Sequence, residues 1–248
     1  MSDVIVDEQR NSNACPWARN VVKAAGVTCR VCGEPTFQST YCRHCARHRK
    51  IEGSADLVAP VVYAVGGGFS GRLLRSYKDH PLGATRARSA QLVGLFVEAA
   101  LKCHTACIES VVGMPVSVRA TLPSLTFRSG THPFARIVRD VGIDTEDVLA
   151  VTPTATCHQS VRGDKFVVVD RSVVAGQHVL VIDDVWTTGS TAQSAALTLR
   201  RAGAAAISVM TVGRWINPEY PPTGCFLERH GGSGFDPAVC PVTGEACG

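Results

Sequence analysis

The chain has 248 residues, 45% of them apolar and 19% charged, which is enough for one sizeable core and a small additional module. This length and composition exclude a mini-scaffold and a disordered chain. There is no uninterrupted apolar run of about 18 residues, as a membrane span requires, and residues 1–13 lack the charged start and apolar stretch of a secretory signal. We therefore expect a cytoplasmic protein without a membrane span. The net charge of +4 does not by itself predict nucleic-acid binding.

Eleven cysteines are many for a reducing compartment, where cysteines more often bind metal or lie in the core than form disulfides. Residues 1–28 are expected to form a tail or one short helix. Residues 29–50 then contain two C-x-x-C pairs, Cys29 with Cys32 and Cys42 with Cys45. Such pairs supply the four thiolates of a tetrahedral structural Zn²⁺, which leaves no coordination position for a substrate. The alternatives are free thiols, a redox pair, or a substitute ligand from among Cys15, His44 and His48.

Between residues 57 and 215, apolar strands alternate with amphipathic helices, a pattern typical of an α/β domain with a parallel sheet. The predicted strands are 58–65, 108–116, 148–151, 166–169, 179–182 and 207–212, and the predicted helices are 85–102, 132–141 and 190–201. Residues 216–248 form a tail rich in Gly, Pro and Cys that matches no element. Its Cys225, Cys240 and Cys247 would need a fourth ligand such as His230 to bind a second metal, and free or buried thiols are the alternative.

The most informative segment runs from residue 179 to residue 191. An apolar strand ends in two carboxylates, Asp183 and Asp184, and a short polar loop then opens the helix 190–201. The backbone N–H groups of the loop, its hydroxyls and the positive helix end would bind a phosphate, provided that the carboxylates hold something such as sugar hydroxyls. The alternative is an ordinary strand-loop-helix connection with a capping acid. The loop residues are Thr187, Thr188, Gly189, Ser190 and Thr191.

This segment resembles the phosphoribosyl pyrophosphate (PRPP) motif of type I phosphoribosyltransferases. In that family the paired acids hold the ribose hydroxyls and the following loop holds the 5′-phosphate. The resemblance implies that PRPP or ribose 5-phosphate binds here together with Mg²⁺, with its ribose on Asp183 and Asp184. The chain lacks a G-x-x-x-x-G-K-[ST] loop, which disfavours an NTPase.

A four-cysteine module followed by such a domain resembles the ComF family, which is implicated in DNA uptake during natural transformation. The resemblance covers about residues 29–214 and includes the segments 62–78, 114–116 and 162–168 and the pair Gly213 and Arg214. The chain also departs from that pattern. The family usually shows an Arg-rich run that ends in Arg-Gly-Phe-Asn-Gln, whereas residues 128–134 read Arg-Ser-Gly-Thr-His-Pro-Phe here.

Phosphoribosyl transfer displaces pyrophosphate from the anomeric carbon through an oxocarbenium-like centre, so the protein must neutralise the leaving group and orient both partners. In the resembling enzymes a loop after the first sheet strand touches the pyrophosphate. We expect residues 115–119 to occupy that place, with Arg119 and Lys78 as the catalytic contacts and Arg75 within reach of the same anion. Residues 152–165 are predicted to form a lid that excludes water, and an ordinary surface loop is the alternative.

Two functions are therefore considered. The first is a phosphoribosyltransferase that acts on an unknown acceptor. The second is a ComF-like accessory protein that handles single-stranded DNA in competence without turnover, because the basic residues of the zinc module would contact a phosphate backbone. Those residues are Arg43, Arg47, Arg49 and Lys50, and they equally fit a solvated surface. A regulator that senses the ligand would use the same loop, and fold analogy does not choose among these functions. The oligomeric state is left open.

Overall fold

The computed structural model describes residues 15, 17–125, 131–153, 160–230 and 234–247. Helices and strands alternate over most of this length. In chain order they are α1 (Arg43–His48), β1 (Leu57–Val65), α2 (Phe69–Asp79), α3 (Gly83–Val112), β2 (Val118–Thr121), α4 (Pro133–Asp140), β3 (Leu149–Val151), β4 (Phe166–Val168), α5 (Arg171–Val174), β5 (His178–Trp186), α6 (Ser190–Arg201), β6 (Ala206–Ile216) and α7 (Pro221–His230).

Four strands form a parallel sheet in the spatial order β1-β6-β5-β2. In its register Val181 of β5 lies opposite Val209 of β6 on one side and Ala120 of β2 on the other. The two central strands β5 and β6 are buried along most of their length. Their near-continuous apolar sequences agree with this position, because a parallel strand is usually covered on both faces.

Helices cover both faces of this sheet. Helix α6 packs on one face, where Ala195 and Leu199 meet Val181. Helices α2, α3 and α4 pack on the other face, where Leu74, Val97 and Phe134 share a core with Leu180 and Ile182. The predicted fold class, a parallel-sheet α/β domain with a small N-terminal four-cysteine module, is confirmed.

The predicted strand 108–116 is wrong. Residues up to Val112 belong to the 30-residue helix α3, whose buried side chains at Leu101, His104 and Ile108 follow helical spacing. The helix ends at Gly113, which adopts a left-handed conformation with φ of 77°. A short apolar run fits a buried helix as well as a strand, and here it continues a helix that the sequence pattern ended at residue 102. The next sheet strand is therefore β2, which begins only at Val118.

The strands predicted at 148–151 and 166–169 do not join the main sheet. They form β3 and β4, which pair with each other antiparallel, so that Ala150 lies opposite Val167. The predicted lid, residues 152–165, connects these two strands, and its residues 154–159 lie outside the described residues. The same is true of residues 128–130 in the stretch that departs from the ComF pattern.

The C-terminal segment folds back onto the rest of the chain. Helix α7 places the ring of Phe226 against Tyr63 of β1, with ring centroids 5.4 Å apart. Phe235 packs edge-on against Phe96 of α3, and Asp236 exchanges two 2.8 Å hydrogen bonds with the side chain of Asn20. The tail that matched no element in the sequence therefore contains a helix and an ordered return to the core.

One helix in the described part of the chain, α3, is long and apolar enough to cross a membrane by length and composition alone. Half of its most apolar stretch is buried inside the fold. The core helix of a globular domain has the same properties, so this helix is weak evidence for a membrane span.

Candidate functional site

A small cleft lies at the carboxyl ends of β2 and β5. The connection after β2 leads to α4 on one face of the sheet, whereas the connection after β5 leads to α6 on the other face. Neighbouring parallel strands whose connections leave in opposite directions open a crevice where ligands bind in open α/β sheets. The structure has a cleft of about 210 Å³ at this point, between residues 122–125 and residues 183–192. Lys78 and His132 also line it.

The two carboxylates of the predicted ribose site lie in this cleft but have different surroundings. Asp184 is only 5% exposed, and its Oδ2 accepts a 2.6 Å hydrogen bond from the hydroxyl of Tyr77 and forms an ion pair with Lys78. Both partners are at the end of α2, which packs on the sheet face that Asp184 points to. Successive strand residues point to opposite faces. Asp184 is therefore anchored to α2.

Asp183 is half-buried and lines the cleft together with the loop after β5. Its Oδ1 accepts a 2.9 Å hydrogen bond from the backbone N–H of Asp184. Burial, and after it the negative charge of Asp184, raises the pKa of Asp183 well above its usual range, although the charge of Lys78 acts in the opposite direction. A carboxylate in this position would be stabilised by hydrogen-bond donors or a cation entering the cleft.

The loop after β5 has the conformation of an anion site. Gly189 has φ of 79° and directly precedes α6, so the N-cap residue of this 12-residue helix has no side chain of its own to cap the helix. The hydroxyl of Thr188 accepts a 3.3 Å hydrogen bond from the backbone N–H of Ser190 and lies 3.1 Å from its hydroxyl. Thr187 is exposed, and Thr191 lines the cleft. Hydroxyls, backbone N–H groups and the positive helix end thus converge on one wall.

Gly189 is required here for two reasons. Residues with a side chain rarely adopt the positive φ of this position. In addition, a Cβ atom here would lie 2.1 Å from the ring of Trp186. Trp186 is 1% exposed and belongs to the core beneath the loop. The loop is therefore held close against a large buried ring.

The structure separates the two predicted catalytic cations. Lys78 lies in the cleft beside Asp184. Arg119 lies within β2, opposite Leu180, two residues before that strand ends at Thr121. The expectation that Arg119 belongs to a loop after a strand is wrong, because the strand expected to end before it is the end of α3. Arg75 stacks over Trp215, with its guanidinium carbon 4.5 Å from the ring centroid.

The loop is supported from below by Arg214 of β6, a residue that is 2% exposed. Its guanidinium donates hydrogen bonds to the carbonyl oxygens of Trp186 and Thr187, at 3.0 and 2.9 Å, and forms a 2.7 Å ion pair with Glu34 of the four-cysteine module. Burial acts to lower the pKa of Arg214, but the thiolate of Cys32 and the carboxylate of Glu34 raise it overall. Arg214 therefore connects the cysteine module to the loop.

Sequence reasoning missed the roles of Tyr77 and Arg214. A signal for Arg214 was present, because a charged residue in the apolar run 206–216 must be paired if the strand is buried. Tyr77 immediately precedes Lys78 in the sequence, but only the packing of α2 against the sheet brings its hydroxyl to Asp184.

The four cysteines of the N-terminal module could hold a metal ion. The Sγ atoms of Cys29, Cys32, Cys42 and Cys45 all lie within 4.8 Å of one another, and all four residues are buried. The Cys32 and Cys42 sulfurs are 3.8 Å apart, which is close to the spacing of about 3.8 Å that Zn–S bonds of about 2.3 Å give in a tetrahedron. The donor set and its spacing therefore fit zinc, and the closed set of ligands indicates a structural role.

No family model matches the chain, and no curated protein matches it. Among solved structures, the chain is similar to one described as the allosteric regulatory enzyme of purine biosynthesis, with 21% identity and a TM-score of 0.31. That match covers 48% of this chain and 25% of the other, so the chain spans about a quarter of that protein's length. At this TM-score the similarity carries no argument about function.

Proposed function

We propose that the chain is a phosphoribosyltransferase that binds PRPP with Mg²⁺ and transfers its phosphoribosyl group to an acceptor. The observation that carries this proposal is that Asp183 and the hydroxyl-rich start of α6 line the same small cleft. An acidic group and an anion site side by side suit a ligand that carries sugar hydroxyls next to a phosphate. An acid that only capped a helix would not require hydroxyls and backbone N–H groups to line the same cleft.

The 5′-phosphate would bind on residues 187–191. The backbone N–H groups at the start of α6 and the hydroxyls of Thr188 and Thr191 would donate to its oxygens, and the helix end would favour its negative charge. Arg214 supports this role from below, because it fixes the carbonyl groups of Trp186 and Thr187 and so limits their movement.

The ribose hydroxyls would donate hydrogen bonds to Asp183 and Asp184. Asp184 is already positioned by Tyr77 and Lys78, whereas Asp183 has a raised pKa that new donors would lower. Mg²⁺ fits the same place, because it is commonly held by one or two carboxylates together with substrate phosphates. Bound there, Mg²⁺ would neutralise charge on the pyrophosphate. The protein's own contribution to that neutralisation would come from Lys78.

Isothermal titration calorimetry with PRPP and Mg²⁺ tests the binding, followed by a screen for pyrophosphate release over nucleobases, amides and single-stranded DNA. Asp183→Asn and Asp184→Asn should weaken binding of PRPP at least about tenfold, the loss expected for a charged hydrogen bond, and should change binding of inorganic phosphate much less. Glu98→Gln, on the surface of α3, is the matched control. Equal loss of both ligands in the aspartate variants would assign the acids a structural role.

Catalysis is tested separately at Lys78. If Lys78 stabilises departing pyrophosphate, Lys78→Met should lower kcat far more than it raises the Kd for PRPP, because an interaction that grows in the transition state appears in kcat. Absence of pyrophosphate release by the wild-type protein with every acceptor would refute the transferase function while leaving ligand binding intact.

A second candidate function is contact with single-stranded DNA through the cysteine module. Its basis is that Arg43, Arg47, Arg49 and Lys50 are all exposed on or just after α1. Phosphate contacts of this kind weaken steeply with salt. Replacement of all four by Gln should abolish DNA binding if this function is correct, and should leave PRPP binding unchanged.

A further inference from the structure

A second group of metal-ligating side chains lies outside the cleft and outside the four-cysteine module. His104 and Cys107 on α3 meet Cys240 and Cys247 of the C-terminal tail, and their four ligand atoms all lie within 4.8 Å of one another. The Cys107 and Cys247 sulfurs are 3.3 Å apart, and Nδ1 of His104 lies 3.4 Å from the sulfur of Cys247 and 3.9 Å from that of Cys107. Four potential ligands from two distant segments thus converge on one point.

Each half of the group is arranged by its local structure. His104 and Cys107 are three residues apart on a helix and so share one face. In the tail, Val239 and Ala246 form an antiparallel bridge, and Cys240 and Glu245 lie at a turn closed by a 2.8 Å hydrogen bond from the N–H of Cys240 to the carbonyl of Glu245. Gly244, with φ of 83°, allows this tight turn. The turn brings Cys240 and Cys247 to the same side although six residues separate them.

The orientation of His104 shows which of its nitrogens faces the thiols. Nε2 lies 2.8 Å from the carbonyl oxygen of Pro237, which can only accept a hydrogen bond. Nε2 therefore carries the proton, and Nδ1 presents its lone pair to the sulfurs. A metal-ligating histidine usually donates its second N–H to a carbonyl or carboxylate in this way. His104 is also 3% exposed, so water does not compete for this nitrogen.

We propose that His104, Cys107, Cys240 and Cys247 bind a second, structural Zn²⁺. Thiolate and imidazole ligands in a tetrahedral set are typical of zinc, with Zn–S and Zn–N bonds of about 2.3 and 2.0 Å. Such bonds place sulfur and nitrogen about 3.5 Å apart, and the two observed distances from His104 lie on either side of this value. All four positions are filled by protein, so the ion fastens the tail to α3.

The ligands differ from those that the sequence suggested for the tail. Cys225 is exposed on α7, and the ring of His230 stacks on Phe226 at 4.9 Å. Neither belongs to the group. The competing arrangement is a disulfide between Cys107 and Cys247, which would leave Cys240 and His104 without a shared role.

Metal analysis of the full-length protein, purified under reducing conditions, tests the proposal directly. We expect two zinc ions per chain in the wild type and one in Cys107→Ser and in Cys247→Ser. Cys225→Ser, which removes an exposed cysteine outside both groups, should keep two. One zinc per wild-type chain, or two in both site variants, would overturn the proposal.

X-ray absorption at the zinc edge supplies a measurement that does not depend on the variants folding. The wild type should show a nitrogen ligand in addition to sulfur, because the N-terminal module contributes sulfur alone. A purely sulfur environment would contradict the proposal, as would a thiol count that shows a Cys107–Cys247 disulfide in freshly purified protein that holds one zinc. PRPP binding enters neither measurement, so failure here and failure of the transferase function are distinguishable.

Discussion

The four-cysteine module and the cleft are neighbours that are built in opposite ways. The ligands of the module come from 17 consecutive residues and are buried. The cleft is assembled from α2, the loop after β2 and the loop after β5, which are far apart in the sequence, and it is open to solvent. Arg214 contacts both regions. The four thiols of the module are thus brought together by a short local segment, whereas the cleft depends on the whole sheet to bring its parts together.

The largest effect is expected from loss of the N-terminal metal. Cys45→Ser should remove that zinc and most of the soluble protein, because zinc binding at such a site is coupled to folding. Metal content and yield of soluble protein measure this. Cys103→Ser, at an exposed cysteine, is the control. A soluble Cys45→Ser protein with unchanged zinc content would show that the module does not depend on this ligand.

The connection between the two regions is tested at Arg214. Arg214→Met should destabilise the fold by about 3–5 kcal/mol, because it leaves Glu34 and two loop carbonyls unpaired in a buried place. Chemical denaturation measures the loss. Lys102→Met removes an exposed ion pair with Glu98 and should cost less than about 1 kcal/mol. Similar losses of unfolding free energy in the two variants would mean that the contacts of Arg214 with the module and the loop do not stabilise the fold.

The shape of the loop is tested at Gly189. Gly189→Ala should cost about 1–3 kcal/mol, since a Cβ there is strained by the positive φ and collides with Trp186. It should also weaken phosphate binding at the start of α6. Gly142→Ala is the matched control, because Gly142 has φ of 76° but nothing within 4 Å of the added Cβ. The difference in stability loss between the two variants isolates the contact with Trp186. Equal losses of stability in Gly189→Ala and Gly142→Ala would contradict this account.

The smallest effect concerns the pH dependence of stability. Because the pKa of Asp183 is raised in the folded chain, ionisation of this group opposes folding, and the wild type should lose stability as the pH rises from about 4, where the unfolded carboxyl titrates. Asp183→Asn should remove that loss and raise the melting temperature at pH 7 while weakening PRPP binding. Thermal melts between pH 4 and pH 8 measure this. A variant less stable than wild type at pH 7 would contradict the prediction.

Features whose residues lie close together in the chain could be predicted from local patterns. The paired C-x-x-C spacing predicted a group of four converging thiols, and the alternation of apolar runs predicted a parallel sheet. The start of α6 at Ser190 was also predicted correctly, although β5 runs on from His178 to Trp186, so that both acids lie inside the strand and not at its end. In each case a local rule is sufficient: ligand spacing, strand burial, or the break from strand to helix.

Contacts between distant residues could not be predicted in this way, because they depend on how the helices and strands pack. Periodicity ended α3 too early, and this error placed Arg119 beyond a strand end when it lies inside β2. The pairing of Tyr77 and Lys78 with Asp184 depends on how α2 packs against the sheet. Cys107 and Cys247 are 140 residues apart, and no local pattern relates them. Their meeting follows from burial of the tail against α3, which is a property of the packed core and not of either segment.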